Sequence, residues 1–101
     1  MFIYNVTTKV SWGINEAWVA WMKGEHMPAL IKTNCFTRCQ LLKLHEQDEE
    51  EGPTYVAQYL TESKALYNRY IELYADKQLQ ETIKKWGDNF ISFRTLLETV
   101  D

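Results

Sequence analysis

The chain has 101 residues, of which 46% are hydrophobic and 14% aromatic, and it carries a formal net charge of −3. This length allows one domain, residues 1–101, with one hydrophobic core. The negative charge argues against a protein that binds nucleic acid through phosphate contacts, and against binding to anionic membrane surfaces. The high aromatic content fits either dense packing of a small core or the lining of a ligand cleft.

The first residues and the cysteines indicate a cytoplasmic protein without metal or cofactor. Residues 1–6 contain neither a basic stretch nor a long apolar run, so we expect no signal peptide and no membrane span. On one extended strand, Cys35 and Cys39 would lie about 13 Å apart, which is too far for a disulfide. Two sulfurs without further ligands also make a poor zinc site. We therefore predict free cysteines and no bound metal or cofactor.

The first third of the chain has the pattern of a strand followed by a helix. Residues 2–10 alternate between two sets of side chains, as strand residues do. From 16 to 33 apolar side chains recur at helical spacing, and Asn15 is the expected N-cap. Pro28 lacks an N–H donor, so we expect a kink or an early end of the helix near that residue.

Two further strands are predicted around an acidic turn. Residues 36–46 alternate, which places Phe36 on the same face as Arg38. The acidic run 46–51 then leads to Gly-Pro, a pattern typical of a solvated hairpin tip. Residues 54–62 return as the third strand.

A second helix and a fourth strand complete the chain. Ser63 is the predicted N-cap, and Gly87 is expected to end the helix with a positive φ, in the left-handed conformation. A bend or a new helix cap is expected at Asp76 and Lys77, and residues 89–100 alternate as the last strand. The predicted apolar stripe of the helix consists of Leu66, Tyr70, Leu73, Tyr74, Leu79, Ile83 and Trp86.

The order strand–helix–strand–strand–helix–strand predicts an α+β, ferredoxin-like βαββαβ fold, with a four-stranded antiparallel sheet and two helices on one face. Two helices cover only one face of such a sheet, yet both faces of its strands contain apolar residues. An identical sheet related by a two-fold axis would cover the second face. We therefore expect a homodimer joined through the sheet face, the dimeric α/β barrel.

Three segments also resemble a known family. They are Ile-Tyr-Asn-Val at 3–6, Trp-Val-Ala-Trp-Met-Lys at 18–23 leading to His-Met-Pro at 26–28, and Phe-Arg-Thr-Leu-Leu-Glu at 93–98. They resemble an uncharacterised family of short bacterial proteins in the ferredoxin-like, dimeric α/β-barrel superfamily. The resemblance covers nearly the whole chain and implies the fold, but it implies no activity.

A shorter resemblance concerns His26 and Pro28. The His-x-Pro pattern is similar to that of the ether-degradation accessory proteins of the same superfamily, which also contains cofactor-free monooxygenases, small isomerases and haem-degrading enzymes. His26 lies at the edge of the apolar arc of its helix, so it is a candidate general base, with Glu25 as the candidate residue that orients it. The alternative is a structural histidine bonded to a backbone carbonyl, with Glu25 in water.

Arg94 is surrounded by apolar residues on the last predicted strand, where a guanidinium needs a partner. Glu98 lies on the same face, and the pattern favours a structural ion pair at the dimer interface over anion recognition. The superfamily resemblance implies a ligand cleft between helix and sheet, and its candidate ligand-binding residues are Trp18, Met22, Tyr59 and Phe93. The alternative for Trp18 and Met22 is that they pack in the core.

Two functions stay open at this point, the first favoured by the residue patterns and the second implied by the resemblance to the superfamily. The first is a small cytoplasmic homodimer that binds an apolar or aromatic small molecule without chemistry. The second is a cofactor-independent monooxygenase or isomerase that acts on an aromatic or polyketide-like compound, with His26 as general base.

Overall fold

Strands and helices alternate in the predicted order. The computed structural model describes all residues from Met1 to Asp101. Helix α1 occupies residues 15–32 and helix α2 residues 64–86. The strands are β1 (Phe2–Val10), β2 (Arg38–Leu44), β3 (Thr54–Thr61) and β4 (Phe90–Glu98). Every predicted element is therefore present, with ends displaced by one or two residues.

The strands form one antiparallel sheet in the order β2-β3-β1-β4. The central strands β1 and β3 each pair on both sides, and β2 and β4 are the edges. The core lies on one face of the sheet, which we call the inner face, and the two helices cover it. The ferredoxin-like α+β fold predicted from the order of elements is thus confirmed.

Burial identifies which face of β1 meets the helices. Val10 is 1% exposed and Tyr4 is 6% exposed. Both belong to the more buried of the two alternating sets of β1. The strand register extends this inner face to β3, where Tyr59 lies opposite Tyr4 and is 1% exposed. The alternation in the sequence predicted the two faces of β1, and packing distinguishes them.

A cluster of aromatic rings around Tyr4 forms the centre of the core. Ring centroids lie 5.9 Å from Tyr4 for Phe36, 5.8 Å for Tyr59, and 5.6 Å for both Tyr67 and Tyr70. The predicted placement of Phe36 on the face of Arg38 is wrong. Because β2 begins only at Arg38, Phe36 precedes the alternation and turns into the core.

Helix α1 begins without the cap predicted for Asn15. A short 3₁₀ turn, Trp12–Ile14, connects β1 to the helix, and Asn15 already has helical φ and ψ of −50° and −54°. Its side-chain oxygen accepts a hydrogen bond from the Tyr55 hydroxyl at 2.6 Å. The N-cap prediction is wrong because this tertiary contact uses the acceptor that a cap would need.

Pro28 widens helix α1 and does not end it. Residues Met22–His26 form a π turn, in which the N–H of Met27 bonds to the carbonyl of Met22, and the helix then continues to Lys32. A proline in a regular helix removes one hydrogen bond and clashes with the carbonyl four residues earlier. The sequence predicts a kink or an early end of the helix near Pro28. The structure shows a wider turn just before that residue, and the helix does not end there.

Helix α2 has the predicted N-cap and a second π turn. The hydroxyl oxygen of Ser63 accepts the N–H of Leu66 at 3.2 Å. The π turn, Ile71–Ala75, ends directly before Asp76, where the bend was expected. Gly87 ends the helix with φ of 62° and ψ of −129°. The positive φ is as predicted, but the ψ lies outside the left-handed helical region.

Part of the apolar stripe predicted for α2 faces solvent. Tyr70 and Trp86 are buried as predicted, whereas Leu73, Leu79 and Ile83 are 58%, 48% and 44% exposed. A π turn contains one more residue than an α turn, and one residue corresponds to a rotation of about 100° around the axis. After the π turn Ile71–Ala75, side chains therefore point in directions other than those that a constant helical period predicts.

The face of the sheet away from the helices, which we call the outer face, is apolar along both edges. On β4, Ile91, Phe93 and Leu97 are 74%, 62% and 43% exposed, and on β2, Leu42 and Leu44 are 42% and 37% exposed. Exposed apolar side chains in such number on one sheet face are unusual for a monomer.

A row of amides crosses the middle of the outer face. Gln40 of β2 donates from Nε2 to Oε1 of Gln58 at 2.9 Å, and Gln58 donates from Nε2 to Oδ1 of Asn5 at 3.1 Å. The three residues lie opposite one another in the strand register. This amide row runs across three strands, from the edge strand β2 to the central strand β1.

Candidate functional site

A cavity of about 370 Å³ lies between the helices and the inner face of the sheet. Every strand and helix except β2 contributes to its wall, and 13 of its 20 lining residues are hydrophobic. Small-molecule sites in proteins usually measure roughly 300–1,000 Å³ and have mostly apolar walls with a few polar groups. The cavity thus has the size and lining of a site for a small apolar compound.

The inner wall of the cavity contains three of the predicted ligand-binding residues. Trp18, Met22 and Tyr59 line it, and they are 2%, 5% and 1% exposed. Burial strongly raises the pKa of the Tyr59 hydroxyl, which therefore stays protonated. This wall offers a compound two large rings and a flexible thioether.

Phe93, the fourth predicted residue, borders the cavity from β4. Its pairing with Thr7 places it in the outer-face set, and its side chain is 62% exposed. Its side chain therefore contributes mainly to the outer face.

Both π turns lie on the cavity wall. The turn in α1 contributes Met22 and His26, and the turn in α2 contributes Ile71 and Ala75. π turns leave local backbone irregularities in a helix and occur frequently at functional sites. The presence of two π turns on one cavity wall therefore supports this cavity as the candidate functional site.

The imidazole of His26 stacks on the indole of Trp21, with ring centroids 4.8 Å apart and an interplanar angle of 26°. Burial lowers the pKa of His26 to about 4 because the charged form loses hydration, and no charged neighbour offsets that loss. His26 is therefore neutral at pH 7 and lines the cavity. A neutral imidazole offers one hydrogen-bond donor and one acceptor to a bound compound.

The structure does not bring Glu25 to His26. Glu25 belongs to the same π turn, but its side chain is exposed and it does not line the cavity. Residues that are adjacent in a helix point about 100° apart, so a histidine that faces inward leaves its neighbour outside.

Arg94 is the main functional candidate that the sequence placed incorrectly. It lies opposite Val6 in the strand register, on the inner face, and lines the cavity. The expected ion pair with Glu98 at the dimer interface is absent, since the chain's one ion pair joins Lys43 and Glu49. The alternation of β4 carried the available signal, because it separates Arg94 from Phe93 and its outer-face neighbours.

The guanidinium of Arg94 lies beside tyrosine hydroxyls. Its contact with Tyr4 raises the pKa of Arg94, and Tyr67 and Tyr70 lie close enough to act in the same direction. Burial raises the pKa of Tyr4 although Arg94 opposes that shift, so the hydroxyl stays neutral. The cavity opening therefore carries a cation without a carboxylate partner.

One polar pair on the cavity wall was not predictable from sequence spacing. The hydroxyl of Tyr70 donates to Oε1 of Gln78 across the π turn of α2, and both residues line the cavity. In a regular helix, side chains meet at separations of three or four residues, whereas these are eight apart.

The structure contains neither a cluster of metal-ligating side chains nor a helix that could span a membrane. Among His, Cys, Asp and Glu side chains, no group of three or more has the placement needed for a metal ion. Neither helix combines the length and the hydropathy needed to cross a bilayer.

Solved structures with the same fold cover nearly the whole chain. Two are dimeric ferredoxin-like proteins from uncultured marine organisms. The first is 16% identical, with a TM-score of 0.71 over 100% of this chain and 96% of that chain. The second is 10% identical, with a TM-score of 0.70 over 99% and 96%.

A third structure is an ethyl tert-butyl ether (EthD) family protein from Bacillus halodurans. It is 11% identical, with a TM-score of 0.65 over 99% of this chain and 100% of that chain. At these identities the similarity establishes the fold alone.

The family comparison agrees with the resemblance noted in the sequence. No curated protein sequence matches the chain. The model of a domain of unknown function, DUF4286, matches residues 1–100, which is nearly the entire length. The chain therefore belongs to the DUF4286 family.

Proposed function

We propose that the protein is a cytoplasmic homodimer that binds a small apolar or aromatic molecule in the helix–sheet cavity, without chemical change of that molecule. The observation that carries this proposal is the cavity itself, with a volume of about 370 Å³ and a mostly hydrophobic wall. Both cysteines are free, which agrees with a reducing compartment.

The depth profile of the cavity supports an apolar ligand. The inner wall, represented by Trp18 and Leu30, is 2% and 1% exposed, whereas the charged lining residues Arg94 and Asp76 are exposed. A compound that enters this space removes apolar surface from water at about 25 cal/mol per Å². The gradient favours a ligand with an apolar body directed inward.

The proposal is tested with 2-naphthamide, a neutral two-ring compound. At a free concentration about 100 times its Kd, a bound ligand raises the free energy of unfolding by about 2.7 kcal/mol. We expect a clear rise in the melting temperature of the wild-type protein. In Ala75→Phe, which fills the cavity with a ring, we expect that rise to be lost.

The control is Ala65→Phe, at an exposed position of the same helix. It should keep the ligand-dependent rise in melting temperature. If neither 2-naphthamide nor its charged analogue 2-naphthoate stabilises the wild-type protein, the proposed binding function is refuted.

The homodimer is supported by the composition of the outer face. Exposed Ile91 and Phe93 on one edge and Leu42 on the other form apolar strips that a second copy would cover. The two marine structures of the same fold are described as dimeric. Packing of two such sheets face to face gives the dimeric α/β barrel.

The second candidate function is a cofactor-independent monooxygenase or isomerase with His26 as general base. The position of neutral His26 on the cavity wall favours it. However, a general base works best with a pKa near the operating pH, and a pKa of about 4 makes His26 a weak proton acceptor. Binding without chemistry is therefore the better-supported function.

The two functions are distinguished with 2-tetralone, a two-ring ketone with acidic C–H bonds. A general base in the cavity would accelerate deuterium exchange at these bonds, as measured by NMR. We expect the same exchange rate with wild-type protein, with His26→Gln and with buffer. Exchange that depends on His26 would instead establish the enzyme.

A further inference from the structure

We propose that the ligand of the cavity is a small apolar carboxylate, whose carboxylate group binds the guanidinium of Arg94 at the opening while its apolar body faces the inner wall. This inference rests on the proposed binding function and names the chemical class of the ligand.

The guanidinium of Arg94 has no carboxylate partner. The neighbours that influence its charge are the hydroxyls of Tyr4, Tyr67 and Tyr70, and the contact with Tyr4 raises its pKa. Arginine has five N–H donors, and one neutral hydroxyl uses only a part of them. The remaining donors are available to an acceptor of opposite charge, which gains a charge-assisted hydrogen bond.

The distribution of charge in the cavity favours one anionic group. Asp76 is the other charged residue on the wall, but it lies on helix α2 and makes no ion pair with Arg94. His26 is neutral at pH 7, since burial lowers its pKa to about 4. The cavity therefore provides a single cation, on the β4 side of its opening.

The geometry of a guanidinium selects a planar acceptor. Its parallel N–H groups match the two oxygens of a carboxylate, and such bidentate pairs are stronger than neutral hydrogen bonds. The volume of about 370 Å³ lies toward the lower end of the usual range for ligand sites. Together these features fit a monocarboxylate with one or two rings, or an aliphatic body of similar size.

The test compares 2-naphthoate with 2-naphthamide, which have the same rings and differ in charge. Trp18 and Trp21 line the cavity, so the quenching of tryptophan fluorescence reports binding directly. A hydrogen bond to a charged group adds roughly 10- to 100-fold in affinity. We expect wild-type protein to bind naphthoate more tightly than naphthamide by about that factor.

The variant Arg94→Gln should lose this preference because naphthoate binding weakens while naphthamide binding stays the same. Arg94→Lys keeps a cation but not the planar fork, so it should retain a part of the preference. The matched control is Arg38→Gln, an exposed arginine on the outer face of β2, which should keep the full preference. Arg94 is exposed, and the melting temperatures of all variants are measured to verify folding.

Three results would overturn the carboxylate inference while leaving the proposed function intact. The first is equal affinities of the two compounds for wild-type protein. The second is an unchanged preference in Arg94→Gln, whether both affinities stay the same or fall by the same factor. The third is a loss of affinity for naphthamide alone in that variant. If neither compound binds the wild-type protein, the proposed function fails first, and the inference fails with it.

Discussion

His26 packs against Trp21 on the cavity wall, and burial lowers the pKa of its imidazole to about 4. In an unfolded chain the same imidazole is hydrated and has a pKa of about 6.5. Between these two values the unfolded state binds the proton and the folded state does not. The free energy of unfolding therefore falls as the pH falls from about 6.5 to about 4, and this contribution is fully present only above pH 6.5.

This linkage gives a prediction for a single substitution. Between pH 7 and pH 5, wild-type protein should lose about 2 kcal/mol of unfolding free energy through His26. His26→Gln should lack that loss, since no imidazole remains to be protonated. Urea denaturation at the two pH values measures both quantities.

The control for this prediction is His45→Gln, which removes an exposed histidine. It should keep the wild-type dependence on pH. If His26→Gln loses as much stability between pH 7 and pH 5 as the wild-type protein, the imidazole is not the group responsible.

The contrast between His26 and Arg94 shows how far the orientation and the partners of single side chains can be predicted from the sequence. The helical period places His26 on the inward arc of α1, and the cavity confirms that orientation. The same period directs the adjacent residue Glu25 about 100° away, and the structure leaves its side chain in solvent. The partner of Arg94 depends on strand register and side-chain conformation, neither of which the pattern of β4 contains.

At the level of elements, the sequence predicts well which strands and helices exist and in what order they follow. It predicts less well which side of a helix each residue faces. Alternation and turn residues identified all four strands, because a half-buried sheet requires a period of two. The π turns Met22–His26 and Ile71–Ala75 interrupt the helical period, so residues after them point elsewhere than a regular helix predicts. Phe36 was misplaced for a related reason, since a period holds only inside its element.

The N-cap of α2 gives a prediction for the stability of the protein. Ser63 accepts the N–H of Leu66, and removal of such a cap costs about 1 kcal/mol. Ser63→Ala should lower the free energy of unfolding by that amount, with an unchanged dependence on urea concentration. Ser63→Asp, which also accepts the N–H, serves as the control and should retain most of the stability. Equal destabilisation by both substitutions would argue against the cap.

At the level of the whole molecule, the order of elements sufficed for the fold because few compact arrangements accommodate it. The cavity was not predictable in the same way. Its volume depends on how the rings of Tyr4, Trp18 and Tyr59 fill the space between helices and sheet, and periodicity contains no such information.

The homodimer gives a prediction for sedimentation equilibrium. At tens of micromolar, wild-type protein should sediment with twice the protomer mass. Phe93→Asp should shift it toward the monomer, because a charge in an apolar interface loses hydration without a partner. Leu73→Asp changes a side chain of similar exposure, 58% against 62%, on helix α2 and should leave the dimer intact. A monomeric wild-type protein would refute the homodimer.

The amide row on the outer face has a direction. Its two hydrogen bonds run from Gln40 through Gln58 to Asn5, so the side-chain oxygen of Gln40 accepts no bond within the row and the side-chain N–H groups of Asn5 donate none. A partner sheet whose row runs the opposite way brings acceptor over donor at both ends, whereas a row that runs the same way opposes like with like. In the proposed homodimer, the amide row would therefore favour a partner whose row runs the opposite way. Since amides do not titrate, that preference would be independent of acidity.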